Sequence, residues 1–370
     1  MIIPKNSHLI NREFSFLDKV LYYVIIIIRN TIVVKLKNRF MFKGKKILIT
    51  GGTGSLGIAL TRRLLATEVD IIRIYSRNES KQISMKQEID DSRLRFLIGD
   101  VRDKPRLTRA MEDIDIVIHA SALKHVPIVE YNAFESIKTN IIGSQNVVDC
   151  CLDENVETAI CVSTDKAVSP FNTYGATKLL MEKLFISANS YVNRLDHKTK
   201  FSAVRYGNVL GSSNSVIPKF IEQIRNGKNI SITDPEMTRF TITMNNAIDL
   251  IFYAVENSMG GEIFIPKLHA YKVGTLADAI IEIEDSSPKI DRIPVRSGEK
   301  FHEFLISVDE IRNTYENDDV YVILDKDMHP LTFSKWSDIK KANLGSYSSD
   351  KVKLLEKEEL KTLITKELST

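Results

Sequence analysis

The chemistry of this chain gathers in two short runs. Ser163-Thr164-Asp165-Lys166 sets hydroxyls, a carboxylate and an ammonium side by side, and Tyr174-Gly175-Ala176-Thr177-Lys178 follows soon after. Tyr174 and Lys178 are spaced i, i+4, which on a helix puts them on one face. A nearby ammonium favours the phenolate, lowers the tyrosine pKa and prepares it to take a proton from a hydroxyl group. Tyr-x-x-x-Lys alone is often a plain helix face, so its meaning depends on its surroundings.

Upstream stands Thr50-Gly51-Gly52-Thr53-Gly54-Ser55-Leu56-Gly57, between a β-rich run and a helical pattern. Gly51 allows a tight turn, Gly54 lets the backbone approach a pyrophosphate, and Gly57 lets the helix pack close to the strand. The helix N-terminus attracts the anion. In that setting Gly51, Thr53, Gly54, Ser55, Leu56 and Gly57 read as a dinucleotide site. An acidic residue at the end of the second strand would bind a ribose 2′-hydroxyl. The strand ends instead in Tyr75-Ser76-Arg77-Asn78. Arg77 and Ser76 offer donors to a 2′-phosphate, so NADP is the expected cofactor; the bland alternative is a solvent-facing arginine. Asp100-Val101, after the third strand, is placed to touch adenine. Ala120-Ser121-Ala122, after the fourth, is placed along the pyrophosphate and ribose, with Lys124 in the same loop. Lys178 suits the nicotinamide ribose, and Thr164 lies where open α/β sheets bind ligands. His125, without a visible partner, is read as structural.

The elements that must position these groups alternate from Lys45 onward. Runs Ile47–Thr50, Ile71–Tyr75, Leu94–Ile98, Ile116–His119, Ala159–Ser163 and Ser202–Arg205 read as strands, and Leu56–Leu65 and Ile137–Leu152 have helical spacing. Pro105 suits the first turn of a helix. The fold class is α/β, a Rossmann-type doubly wound parallel sheet with a smaller C-terminal substrate-binding lobe. In the lobe, Val216–Asn226 reads as a helix, and Ile230–Thr233, Glu262–Pro266 and Arg292–Arg296 as strands. The expected organisation is an extension over 1–40, an NADP-binding domain over 41–210, the lobe over 211–330 interleaved with the sheet end, and a charged tail over 331–370 with a helical run at Leu355–Thr365.

The composition, 43% hydrophobic and 27% charged, is that of an ordinary globular protein. The net charge of +3 is local. Residues 1–40 carry seven Lys and Arg against two acidic residues, and the nearly neutral remainder gives no footprint for nucleic acid. Cys150, Cys151 and Cys161 make neither a disulfide framework nor a metal site. The apolar run Val20–Ile28 is far shorter than the ~20 residues of a spanning helix. Three readings stand for this stretch: an extension outside the fold, a weak membrane-surface contact through residues 20–39, or an extra strand or genuine span. A cytoplasmic protein, peripheral at the membrane if the second holds, is the expectation.

Thr50–Gly57 with Tyr174 and Lys178 resembles the extended short-chain dehydrogenase/reductase superfamily. More narrowly, residues 43 to about 325 resemble the inverting UDP-N-acetylglucosamine 4,6-dehydratases. The matching runs include Ile98–Asp103, Ala122–Pro127, Lys138-Thr139-Asn140, Ser163–Ala167, Arg205–Val209, Met237–Phe240, Gly261–Phe264, Gly298-Glu299-Lys300 and His302-Glu303. The family begins near Met41, and many relatives have alanine where Ser121 stands.

The resemblance implies a redox-neutral dehydration with inversion at C5, giving a UDP-4-keto-6-deoxy-L-hexosamine for surface polysaccharide or protein glycosylation. Tyr174 takes the 4-hydroxyl proton, Lys166 the C5 proton, and Asp165 protonates the departing 6-hydroxyl. Related hexose dehydratases carry Asp-Glu at Asp165-Lys166, so the lysine points to the inverting branch. To work as a base, Lys166 is expected to have a pKa depressed by burial and by Lys178. By resemblance, Asn140 joins the cofactor residues, and Lys124, Asn208, Arg239, Arg296 and Glu299 contact the UDP-sugar or hold its loop. Surface salt bridging is the plain alternative for Arg239 and Arg296. The resemblance further implies a homo-oligomer, with a hexamer as the suggested form. A UDP-N-acetylhexosamine 4-epimerase or a capsule-type dehydratase/epimerase is the rival on the same fold. A non-catalytic NADP sensor would have no need of Tyr174, Lys178, Asp165 and Lys166 together.

Overall fold

The computed structural model describes residues 40–190, 197–212, 215–324, 335–336 and 339–369. The extension expected over residues 1–40, with its apolar run, lies almost wholly outside the described residues. Among the described residues, no helix is long and apolar enough to cross a membrane.

Six strands come first: β1 (Lys46–Thr50), β2 (Ile71–Ser76), β3 (Leu94–Ile98), β4 (Ile116–His119), β5 (Thr158–Val162) and β6 (Lys200–Val204). Between them run helices α1 (Ser55–Leu65), α2 (Glu79–Glu88), α3 (Lys104–Met111), α4 (Gly143–Asp153) and α5 (Thr173–Ala188). Strands covered on both faces by helices must be apolar throughout, and β4 is buried at every position. Within β1, Leu48 joins one core while Ile47 and Ile49 join the other, as the two-residue period of a strand requires. Side chains fix the helix starts: Asp103 accepts from the Arg106 amide, with Pro105 in the first turn of α3. The helical spacing at 137–152 forms a π-turn, Ile137–Ile142, before α4 begins.

The strands order as β3-β2-β1-β4-β5-β6 and pair in parallel, the doubly wound arrangement expected. The order reverses between β1 and β4, and a crevice opens there at the strand carboxyl ends.

Eleven residues of chain beyond β6, 205–215, separate the sheet from the lobe's first long helix, and then the two interleave. The further strands are β7 (Asn208–Val209), β8 (Ile230–Ile232), β9 (Thr238–Ile242), β10 (Glu262–Pro266), β11 (His269–Lys272), β12 (Ile290–Arg292), β13 (Phe304–Ile306), β14 (Thr314–Glu316), β15 (Val320–Leu324), β16 (Lys340–Lys341) and β17 (Tyr347–Ser348). The further helices are α6 (Val216–Arg225), α7 (Met244–Asn257), α8 (Val273–Ile283) and α9 (Lys357–Leu368). β10 adds to β6 in parallel, and β15, β14 and β16 finish the sheet antiparallel. The strand expected at Arg292–Arg296 is displaced to Ile290–Arg292, where it pairs with β8. The segment expected as a tail is instead built in: β16 closes the main sheet, β17 pairs with β13, and Leu360 and Ile364 of α9 share the lobe core with Phe220 and Leu276.

Arg205, at the end of β6, is fully buried and ties three elements together. Its guanidinium donates to Glu182 of α5 (2.6 and 3.0 Å) and to Glu310 (2.9 and 3.2 Å) beyond β13. The chain just before β1 is also part of the core. Phe42 is 1% exposed and stacks edge-on against Phe252 of α7 at 4.7 Å. Phe42→Ala should therefore cost about 3–5 kcal/mol in denaturant unfolding; a loss below 1 kcal/mol would show that this lead-in does not anchor the domain.

Candidate active site

The carboxyl ends of β1, β2, β4 and β5 open into a cleft of about 710 Å³. Its floor is the glycine turn. Gly51 has φ +69°, the left-handed region that favours glycine, and a Cβ there would meet the Ser121 backbone at 3.0 Å. A Cβ on Gly57 would lie 2.3 Å from the Gly52 carbonyl, so only glycine lets α1 start here. Gly54 caps α1 without a side chain, and no acidic residue occupies the first turn. The helix N-terminus is thus left to an anion in the cleft.

At the end of β2 the cleft is lined by Ser76, Arg77, Asn78 and Lys81. Ser76 Oγ accepts from Gln82 Nε2 at 3.0 Å, which leaves the hydroxyl hydrogen to donate. Arg77 is half exposed and 3.7 Å from Asp100, whose carboxylate is held by Arg102 at 2.7 and 2.9 Å. No carboxylate stands at the end of β2 itself. Asn78 caps α2 by accepting from the Lys81 amide at 2.9 Å, which places Lys81 on the cleft wall. The sequence reading missed Lys81 because it stopped at the strand end and did not follow the first helical turn beyond it.

The opposite end carries the reactive groups. Thr164 Oγ1 donates to Asp165 Oδ1 at 2.7 Å, and Lys166 Nζ donates to the same oxygen at 3.1 Å. Glu303 approaches Lys166 Nζ from the other side at 3.5 Å. Asp165 and Glu303 are both buried, while Lys166 keeps 24% of its side chain open and lines the cleft. Burial works against the Lys166 charge, but Asp165 and Glu303 together outweigh it and hold the ammonium above the usual lysine range. This corrects the expectation of a depressed pKa. Tyr174 is pushed up to about 12, by burial above all; Asp165 adds to the rise, while Lys166 and the Thr164 hydroxyl oppose it.

The i, i+4 spacing on α5 is real and both residues line the cleft, yet the Lys178 ammonium is engaged elsewhere. Its Nζ donates to the Val162 carbonyl at 2.6 Å, and burial pushes it down to about 8. The ammonium acting on Tyr174 is Lys166, and the expected lowering of the tyrosine by Lys178 is corrected accordingly. α5 sits directly on the reactive turn: a Cβ on Gly175 would lie 2.1 Å from the Lys166 carbonyl.

Gly51, Thr53, Gly54, Ser55, Leu56, Gly57, Asp100, Val101, Ala120, Ser121, Ala122, Lys124 and Asn208 all line the cleft, as does His125. Asn140 does not. It is fully buried, accepts from the Leu123 amide at 2.8 Å and donates to the Leu123 carbonyl and Thr177, so it shapes the loop and does not face the cleft. Arg239, Arg296 and Glu299 also stand off the cleft lining. Arg239 is buried and donates to Glu299 at 3.1 Å and to the Phe301 carbonyl, and Arg296 is exposed. Glu303 was not singled out from the sequence, although it ends one of the runs that carry the resemblance. Among the described residues no cluster of His, Cys, Asp and Glu is arranged to hold a metal.

A doubly wound sheet, a glycine turn on β1, and Tyr174 facing Thr164-Asp165-Lys166 at the end of β5 define an extended short-chain dehydrogenase/reductase enzyme. The chain belongs to the polysaccharide biosynthesis protein family, whose model matches residues 47–325. It is 49% identical over 285 residues to an inverting UDP-N-acetylglucosamine 4,6-dehydratase of Campylobacter jejuni, covering 76% of this chain and 84% of that protein. It is 41% identical over 331 residues to a UDP-glucose 4-epimerase of Rickettsia conorii, covering 88% and 96%. Among solved structures, that of Pen from Bacillus thuringiensis superposes with a TM-score of 0.82 at 38% identity, covering 88% of this chain and 99% of that one.

Proposed function

We propose that this protein removes water from UDP-N-acetylglucosamine across C5 and C6, with inversion at C5, using NADP. The observation that carries the reading is the 3.1 Å contact of buried Asp165 with Lys166, which lines the cleft beside Tyr174. The 49% identity to the Campylobacter jejuni dehydratase supports it.

The pair carries the two functions that water loss needs. A proton moving from Lys166 Nζ to Asp165 leaves a neutral amine and a carboxylic acid, adjacent to each other. The amine then takes the proton at C5 once C4 is a ketone, and the acid gives its proton to the 6-hydroxyl, which departs as water. The ammonium and carboxylate are thereby restored. After hydride returns to C6, C5 takes a proton from water on the opposite face, which inverts it, and Tyr174 releases the 4-hydroxyl proton to water. Tyr174 accepts the 4-hydroxyl proton, and the Thr164 hydroxyl together with the Lys166 charge counters the burial that disfavours its phenolate. A bound nicotinamide supplies the reversible uptake of hydride, at C4 and back at C6, that keeps the reaction redox-neutral.

The glycine turn and the start of α1 are suited to the pyrophosphate, and Ser76, Arg77 and Lys81 to a 2′-phosphate. The epimerase name of the Rickettsia conorii relative supports a second reading, in which only Tyr174 and the cofactor are needed.

NADP should bind more tightly than NAD. Arg77→Ala should weaken NADP by about 1.5 kcal/mol, the low end for a charged contact because the guanidinium is half exposed, and leave NAD unchanged. Equal affinity of the unmutated protein for both in calorimetry contradicts the assignment. Mass spectrometry separates the two activities: the expected product has lost one water, whereas an epimer has the mass of the substrate. Lys166→Ala should lower water loss about 10²–10⁴-fold. A variant that loses less than threefold would remove Lys166 from the chemistry.

A further inference from the structure

Glu303 has no part in the reaction described above, yet it is 3% exposed and lies 3.5 Å from Lys166. Its Oε2 makes no hydrogen bond, and its nearest cation on that side is Lys300, at 3.9 Å. Asp165 Oδ2, across the lysine, is unpartnered as well. Two half-satisfied carboxylates out of water are a poor way to stabilise a fold. The chain nevertheless spends several contacts on bringing Glu303 here. Its amide donates to Ser349 Oγ at 2.9 Å, and β13 begins at the next residue and pairs with β17. Just before it, Lys300 donates to the Val168 carbonyl at 2.6 Å and Asn172 donates to the Gly298 carbonyl at 2.8 Å. Residues 298–303 are thus strapped across the turn that carries Asp165 and Lys166.

We propose that Glu303 is a positioning residue: its carboxylate pins Lys166 against Asp165 and keeps the pair loaded with the one proton that it hands to the 6-hydroxyl and regains from C5. The inference rests on Lys166 and Asp165 acting as the base and acid described above. The groups facing Lys166 are Asp165 from its own turn, Glu303 and Lys300 from the strap, Arg239 of β9, Tyr174 of α5 and Tyr271 of β11. Arg239 and Lys300 are cations and push the proton off Lys166; Asp165 and Glu303 keep it on. With Asp165 engaged in the exchange, Glu303 is the remaining anion opposing them.

The sign follows. Removing the Glu303 charge makes the ammonium easier to deprotonate, so the pair empties at lower pH and the alkaline limb of the kcat profile moves down. An opposite charge within about 4–6 Å shifts a pKa by about 1–3 units, which sets the expected displacement. Glu303→Gln keeps the shape and removes the charge, and Glu303→Asp keeps the charge but withdraws it. The test is the pH dependence of water loss in the wild type and both variants, paired with an NMR titration of Nζ in ¹⁵N-lysine-labelled protein without substrate, assigned by the signal missing in Lys166→Ala. The expected result is a downward displacement of both the kinetic limb and the Lys166 titration in Glu303→Gln, and a smaller one in Glu303→Asp, with KM changed less than kcat. Unaltered Lys166 titration in Glu303→Gln overturns the proposal. If Glu303→Gln does not fold, the Glu303→Asp titration decides alone, an unmoved one overturning it. A wild type that yields only an epimer removes the dehydratase reading, while the titration still reports on Glu303.

Discussion

Lys166 is held between two carboxylates that are themselves out of water, and much of the neighbouring structure answers that constraint. Taking charges from water is costly unless they are paired and hydrogen-bonded. Asp165 is paid for by its contacts with Thr164 and Lys166, and the turn is closed from behind by α5, where Gly175 leaves no room for a Cβ against the Lys166 carbonyl. The lysine keeps part of its side chain in the cleft, so the same pair that is stabilised by its partners remains within reach of a ligand. A lysine held in this way is an acid at rest and becomes a base only after giving up its proton, and Asp165 is the group in contact to receive it.

That arrangement depends on the join between sheet and lobe. β5 delivers Asp165 and Lys166 at the carboxyl edge, where a doubly wound sheet places its ligands. Glu303 is the residue just before β13, and its strap is held by Lys300, Asn172 and Ser349. Arg205 fixes the same join from beneath, through Glu182 on α5 and Glu310 just past β13. The glycine-turn end of the cleft and the Asp165-Lys166 end are therefore joined through the same contacts between sheet and lobe.

The residues that could be read ahead of the structure are those whose role is local. The glycines of the β1–α1 turn are legible because backbone geometry at Gly51 and Gly57 excludes any side chain. Five of the six parallel strands announce themselves as mostly buried apolar runs, and the edge strand β3 is apolar but largely open. What escaped was decided by distant contacts. Spacing on α5 correctly put Tyr174 and Lys178 on one face, but not that the Val162 carbonyl captures the lysine. Burial was expected to lower Lys166, and it does oppose the charge; the two carboxylates that win come from one adjacent residue and one far downstream. Asn140 looked like a ligand residue because it is polar in a matching run, whereas its amide is consumed by Leu123 and Thr177. The last segment read as a charged tail because β16 and β17 are too short to show a period, and α9 buries only a narrow stripe at Leu360 and Ile364.

The central claim is that Lys166 and Asp165 act together on C5 and C6 of the sugar. Proton NMR of the product formed from UDP-N-acetylglucosamine in heavy water tests it most directly. The account predicts a C6 methyl group, the L-configuration at C5 and deuterium at C5. A product that retains its 6-hydroxyl and protium at C5, changed only at C4, would contradict it.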